Sequence, residues 1–211
     1  MIATSVMERP RTRAQGGNAA SAAMLVAVAN LGYALSFLVV RPDNPDTGGT
    51  AASAFLLAGG LLALPALLAL YRRLRDANPD LALLATVLAV ASALGAAIHG
   101  GYDLANAINP PAQTLDLPNQ VDPRGLLTFG LGGLSLLLFA PLLANAENKT
   151  LAATLGALLL SLYVLRLVVL DADNGAIVAL AAITGFVVSP LWYVRLGLSL
   201  RSDANAATLH A

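Results

Sequence analysis

Long apolar runs separated by short polar stretches organise this chain. Six runs occur, at about 21–40, 51–71, 81–101, 125–144, 151–170 and 175–194. Each approaches the roughly 20 residues that an α-helix needs to cross a bilayer. Runs this long and this continuously apolar are helical, because only helices and closed barrels satisfy every backbone N–H and C=O in lipid. Gly59, Gly60, Pro65, Pro141 and Pro190 fall inside the runs, and both residue types are frequent in membrane helices. Pro65, midway along the second run, is expected to kink it. The pattern predicts an all-α polytopic transmembrane bundle of six spans over residues 21–196. A disordered basic tail at 1–20 precedes it and a second tail at 197–211 follows. The basic start followed by an apolar run also resembles a signal peptide. However, that run is too long and no small-x-small site follows it, which favours a retained first helix.

The third run carries the sharpest pattern. On a helical wheel Leu83, Val87, Val90, Leu94 and Ile98 share one sector and suit lipid. Ser92, Gly95, Ala96, His99, Tyr102, Asp103 and Asn106 fall opposite. His99, Tyr102, Asp103 and Asn106 sit at i, i+3, i+4 and i+7, so they form one stripe. Between the two faces runs a ladder of small residues, Ala85, Ala89, Ala93, Ala97 and Gly101. Small residues at that spacing let two helices approach closely.

Composition agrees with a membrane protein. Of 211 residues 57% are hydrophobic and 11% charged, and the mean hydropathy is +0.73. Soluble domains average about 25% charged. Charge placement then suggests orientation. Nine basic residues flank the side of the N-terminus: Arg9, Arg11, Arg13, Arg72, Arg73, Arg75, Lys149, Arg195 and Arg201. Two, Arg41 and Arg124, flank the other side. The asymmetry predicts a multi-pass protein of the cell (plasma or inner) membrane with both termini cytoplasmic. Arg72, Arg73 and Arg75 could bind anionic lipid or only set topology. The net charge of zero offers no basic surplus for nucleic acid.

Candidate chemistry gathers at the outer ends of the third and fifth runs. Arg166 is the one basic residue inside a run, about 6 Å below the outer end of the fifth at 1.5 Å per residue. His99 should lie at similar depth and Asp103 about a turn higher. Asp103 is therefore the expected partner of Arg166, with Asp171 and Asp173 as rivals. Tyr163 shares a face with Arg166, and Asn30 and Tyr33 add polar groups on the first helix. These residues predict an outward polar cluster of His99, Tyr102, Asp103, Asn106, Tyr163 and Arg166. It reads either as side chains that satisfy one another and fix helix register, or as a ligand-binding site. The loop 109–124 holds Pro110, Pro111, Pro118 and Pro123, and reads as a stiff cover or a simple bridge.

Several chemistries are excluded. Zero cysteines remove disulfides, thiolate metal sites and thiol catalysis. Two histidines, His99 and His210, do not make a metal or haem site without a tail residue, so no metal or cofactor is expected. The single lysine, Lys149, lies between apolar runs and cannot form a buried Schiff base. No P-loop or Gly-x-Ser-x-Gly turn occurs.

Two further patterns run through the chain. Asn78, Leu81 and Ala82 recur as Asn148, Leu151 and Ala152, an echo of the kind internal repeats leave. The stretch Ala69-Leu70-Tyr71-Arg72-Arg73-Leu74-Arg75, with Asn78 and Leu81-Ala82-Leu83-Leu84-Ala85, resembles a bacterial integral-membrane family of unknown function. The resemblance covers about 30 residues of the second and third helices. It implies a multi-pass fold and no activity or site residues.

Three functions remain open on sequence. One is a non-catalytic structural, accessory or sensory bundle. The second is an outward-facing binder or transporter of a small molecule or lipid, such as a zwitterionic or anionic amphiphile held at the headgroup level. A transporter this small would act as a homodimer. The third is a membrane-embedded enzyme with His99 as general base oriented by Asp103.

Overall fold

The computed structural model describes residues 13–110, 125–169 and 174–209. Among them there is no strand, and five helices are long and apolar enough to cross a membrane. Helix α1 is Arg13–Leu35, continued by a π-type stretch Ser36–Val40 and a last turn Arg41–Asp43. Helix α2 is Pro45–Leu74 and α3 is Pro79–Ile108. Helix α4 joins a π-type stretch Leu126–Leu131 to Gly132–Phe139 and a 3-10 turn Ala140–Leu142. Helix α5 is Ala146–Val168. Helix α6 runs from Gly175–Ala182 through a π-type stretch Ile183–Val188 to Ser189–Leu209. The apolar α4, Leu126–Leu142, is shorter than the other five.

All the helices but α4 are longer than their apolar runs, and the reason is local. Asn44, Asn78, Asn145 and Asn174 cap α2, α3, α5 and α6, their side chains accepting from the N–H groups of Thr47, Leu81, Asn148 and Ala176. Pro45 and Pro79 then occupy the first turn, where no N–H is needed. The caps stand in polar sequence outside the runs, so hydropathy marks only the middle of each helix. The caps of α3 and α5 are Asn78 and Asn145, which puts Asn148 three residues inside its helix. The echo of Asn78 at Asn148 is therefore out of register. Helix α2 continues through Pro65.

Both expected tails need correction. Residues 1–12 lie outside the described residues, but 13–20 are helical, with Ala19 and Ala20 buried. Small side chains here let α1 pack against Gly197 of α6. At the other tail α6 continues past residue 196, with Leu200 buried and the Arg73 guanidinium donating to the Ser199 hydroxyl. His210 lies outside the described residues.

The six helices form an up-and-down ring. Each packs antiparallel on its predecessor, and α6 closes the circle on α1. Asn30 of α1 donates to the Ser189 hydroxyl of α6 at 2.7 Å, deep in the bundle. The closest seam is α2–α3. A Cβ at Gly60 would collide with the Ala93 carbonyl oxygen, and one at Gly100 would stand 2.6 Å from that of Ser53. Ala85, Ala89, Ala93 and Ala97 are all buried, as the ladder of small residues predicts. Leu83, Val87, Leu94 and Ile98 are exposed along the outer face of α3. In water such a surface would aggregate, whereas hydrocarbon solvates it. The α5–α6 seam is the loosest of the ring.

Candidate functional site

A ring of six helices does not close at its centre. It leaves a cavity of about 1100 Å³ to which every helix contributes. The end near the start of α1 is sealed by Phe139, Leu70 and Leu155, all fully buried. Trp192 and Leu67 continue this apolar half. The opposite end has a polar rim, with Arg41, Asp46 and Asn106 among its lining residues. Arg41 and Asp46 are exposed, so the cavity opens at the rim and is closed at the floor.

His99 and Asp103 stand one turn apart on α3 with Nε2 and Oδ2 at 3.2 Å. The histidine side chain is 17% exposed and the carboxylate 38%. The pair thus sits where buried wall meets open rim. With Nε2 facing Asp103, Nδ1 is buried and has no hydrogen-bond partner, and neither does Thr128 Oγ1 on α4. Both residues line the cavity. A buried polar atom left unpaired costs about 1–3 kcal/mol.

Most other hydroxyls of the interior are already occupied. Ser53, Thr86 and Thr184 donate to carbonyls one turn back, and Ser135 to the Gly132 carbonyl. Ser92 donates to the Thr128 carbonyl at 3.0 Å, tying α3 to α4. On α1, Tyr33 and Phe37 stack with ring centroids 5.6 Å apart. The Arg41 guanidinium lies 4.9 Å from the Phe37 centroid. Each of the three π-type stretches contributes to the cavity wall, with Phe37 on α1, Thr128 on α4 and Thr184 on α6. Single-turn π geometry in α-helices is frequent at functional sites.

The structure brings together four of the six expected site residues. His99, Asp103, Asn106 and Arg166 line the cavity. Tyr102 does not: at 40% exposure it lies on the outer surface of α3. Tyr102 lies about 60° from His99 on the wheel, against about 40° for Asp103 and about 20° for Asn106, and so falls at the edge of the stripe. Tyr163 instead packs against Gly130 in the α4–α5 seam. Among the described residues no ion pair joins Asp103 to Arg166. Asp103 turns along its own helix to His99, and Arg166 stays exposed near the end of α5. Asp171, Asp173 and most of the Pro-rich loop, residues 111–124, lie outside the described residues.

Sequence reasoning identified Asn30 and Tyr33 but missed Asp46, Thr128 and Thr184 as wall residues. Thr128 and Thr184 are single hydroxyls in apolar runs, which are common where a helix simply bonds back on itself. Only the ring shows that they face inward.

At the near end the three clustered arginines part company. Arg72 and Arg75 are exposed, with Arg75 3.7 Å from Asp76, while Arg73 turns inward to Ser199. Arg195 of α6 pairs with Glu147 of α5. Among the described residues no group of three or more His, Cys, Asp or Glu side chains is placed to hold a metal ion. No protein-family model matches the chain, and no curated protein or solved structure matches it either.

Proposed function

We propose that this chain is a six-span protein of the cell membrane, with both termini in the cytoplasm, whose central cavity binds a small molecule from the outer side without catalysis. The sixth span in this reading is α4. Its 17 residues reach about 26 Å, a few Å short of a 30 Å hydrocarbon core. It packs between α3 and α5 like any other member of the ring, which supports counting it. The nine-to-two basic asymmetry supports the orientation. Arg72 and Arg75 are exposed at the end that this orientation puts at the cytoplasmic headgroups, where anionic lipid would meet them.

The observation that carries the binding reading is the cavity itself. Helices held together only for structure pack their centre to the density of an organic crystal. Here about 1100 Å³ is open, slightly above the 300–1000 Å³ usual for small-molecule sites. His99 and Thr128, whose Nδ1 and Oγ1 have no hydrogen-bond partner, are among its lining residues. A structural role is favoured by the polar bonds between helices, Asn30 to Ser189 and Ser92 to the Thr128 carbonyl.

Native mass spectrometry of protein released from nanodiscs, wild type beside Asp103→Asn, tests the proposal. We expect a discrete adduct on the wild type that the variant loses. Identical spectra with only diffuse lipid, together with a lower melting temperature for the variant, would assign the polar residues to packing. The same spectra report whether the protein is a homodimer.

A further inference from the structure

The cavity is long rather than round. A sphere of its volume would be about 13 Å across, whereas its lining on α2 extends from Pro45 to Leu70, about 38 Å of helix. Spread over that length, 1100 Å³ makes a narrow slot, along which a hydrocarbon chain fits at ordinary carbon–carbon contact of about 3.5–4.0 Å from the walls. Ala63, Ala89 and Ala93 keep the apolar half open by being small.

The two ends of the slot ask for different chemistry. The floor offers Leu70, Phe139 and Leu155, with no charged residue near them in the lining. The rim half offers two guanidiniums, Arg41 and Arg166, and two carboxylates, Asp46 and Asp103, beside His99. A net anion there meets both carboxylates, and a net cation meets both guanidiniums. A zwitterion can satisfy both signs at once, and an uncharged hydrogen-bonding head disturbs neither.

We infer that the ligand is an amphiphile with a zwitterionic or uncharged hydrogen-bonding head, held upright inside the ring. Its head lies at His99, Asp103 and Thr128, and its chain descends past Trp192 to Phe139. This rests on the reading of the cavity as a binding site, and it goes further by fixing class and pose. It also places the molecule among the helices instead of at the headgroup level outside them.

Trp192, the chain's one tryptophan, is buried and lines the slot, so it reports on what enters. The probe is lysophosphatidylcholine brominated along its chain, titrated at low mole fraction into nanodiscs holding the protein. Bromine beside Trp192 should quench its fluorescence saturably, and unlabelled lysophosphatidylcholine should reverse this. Glycerophosphocholine, which has the head and no chain, should not compete. Lysophosphatidylglycerol, with a net negative head, should bind about tenfold more weakly. Ala63→Phe and, separately, Leu159→Phe narrow the slot without touching the rim, and either one that folds should weaken saturable quenching about tenfold.

Non-saturable quenching that neither variant changes would overturn the inference, because the chain would then be in bulk lipid. Tighter binding of lysophosphatidylglycerol would overturn the assignment of the head. If an Asp103-dependent adduct persists in native spectra while lysophosphatidylcholine neither quenches nor displaces it, the pose and class fail but the binding reading stands. Loss of both signals removes both.

Discussion

The α2–α3 and α5–α6 seams of the ring are built on opposite plans. Between α2 and α3, Gly60 and Gly100 admit the partner's backbone directly, and the alanine ladder of α3 is buried against them. At these two glycines no side chain separates the helices. Between α5 and α6 the contact is the loosest of the six, and the bond that joins them at the near end is the exposed Arg195–Glu147 pair. The difference shows how a membrane bundle can keep a hole in its middle. Lipid tails are as apolar as leucine, so helices gain little from hiding leucine from lipid, and close packing decides which seams are strong. A ring with a few such seams stands without filling its centre.

Gly60→Leu tests the strong seam and should have the largest effect. Its Cβ would collide with the Ala93 carbonyl, which no rotamer change relieves. We expect a loss of at least about 3 kcal/mol, seen as failure to purify as a monodisperse species or a large drop in melting temperature. A variant that melts like the wild type would mean that the α2–α3 seam is not closely packed. Phe139→Ala opens the sealed floor of the cavity and should cost about 3 kcal/mol, measured by thermal unfolding in detergent. An unchanged melting temperature would show the floor to be already loose.

Asn30→Leu removes the bond to Ser189 in the α1–α6 seam. Buried hydrogen bonds between membrane helices average about 0.6 kcal/mol, so a shift of that order is expected. A loss several times larger would make this bond, and not small-residue packing, the clasp of the ring. Glu147→Gln should have the smallest effect. Both partners are substantially exposed, at 43% and 67%, and water screens such pairs to well under about 1 kcal/mol. A marked destabilisation would mean that the α5–α6 seam depends on this one pair.

Much of the scaffold was legible before any coordinates. A run of about 20 apolar residues has one stable form in hydrocarbon, so helix positions followed from hydropathy alone. The faces of α3 were legible too, because Leu83, Val87, Leu94 and Ile98 share one apolar sector, which is exposed, and Ala93 and Ala97 can meet a neighbouring backbone. Helix ends were not. The asparagine caps and the continued helices at 13–20 and beyond 196 lie in polar sequence, where hydropathy is silent.

The site divided along the same line. His99, Asp103 and Asn106 could be grouped from spacing, since one helix fixes their relation. Pairing between helices could not, because it depends on axial register and rotation that no single helix encodes. That is why Asp103 was matched to Arg166 yet turns to His99, and why Tyr102 and Tyr163 left the cluster.

The sequence by itself determined the helices and the apolar outer side of α3, both of which depend on local hydrophobicity and a period of 3.6 residues. Only the tertiary structure decided that six antiparallel helices close into a ring, and that the ring leaves an amphiphilic slot at its centre. A cavity is the space between helices, and it exists only once residues far apart in sequence, such as Asn30 and Ser189 or Ser92 and Thr128, have fixed how the helices stand against one another.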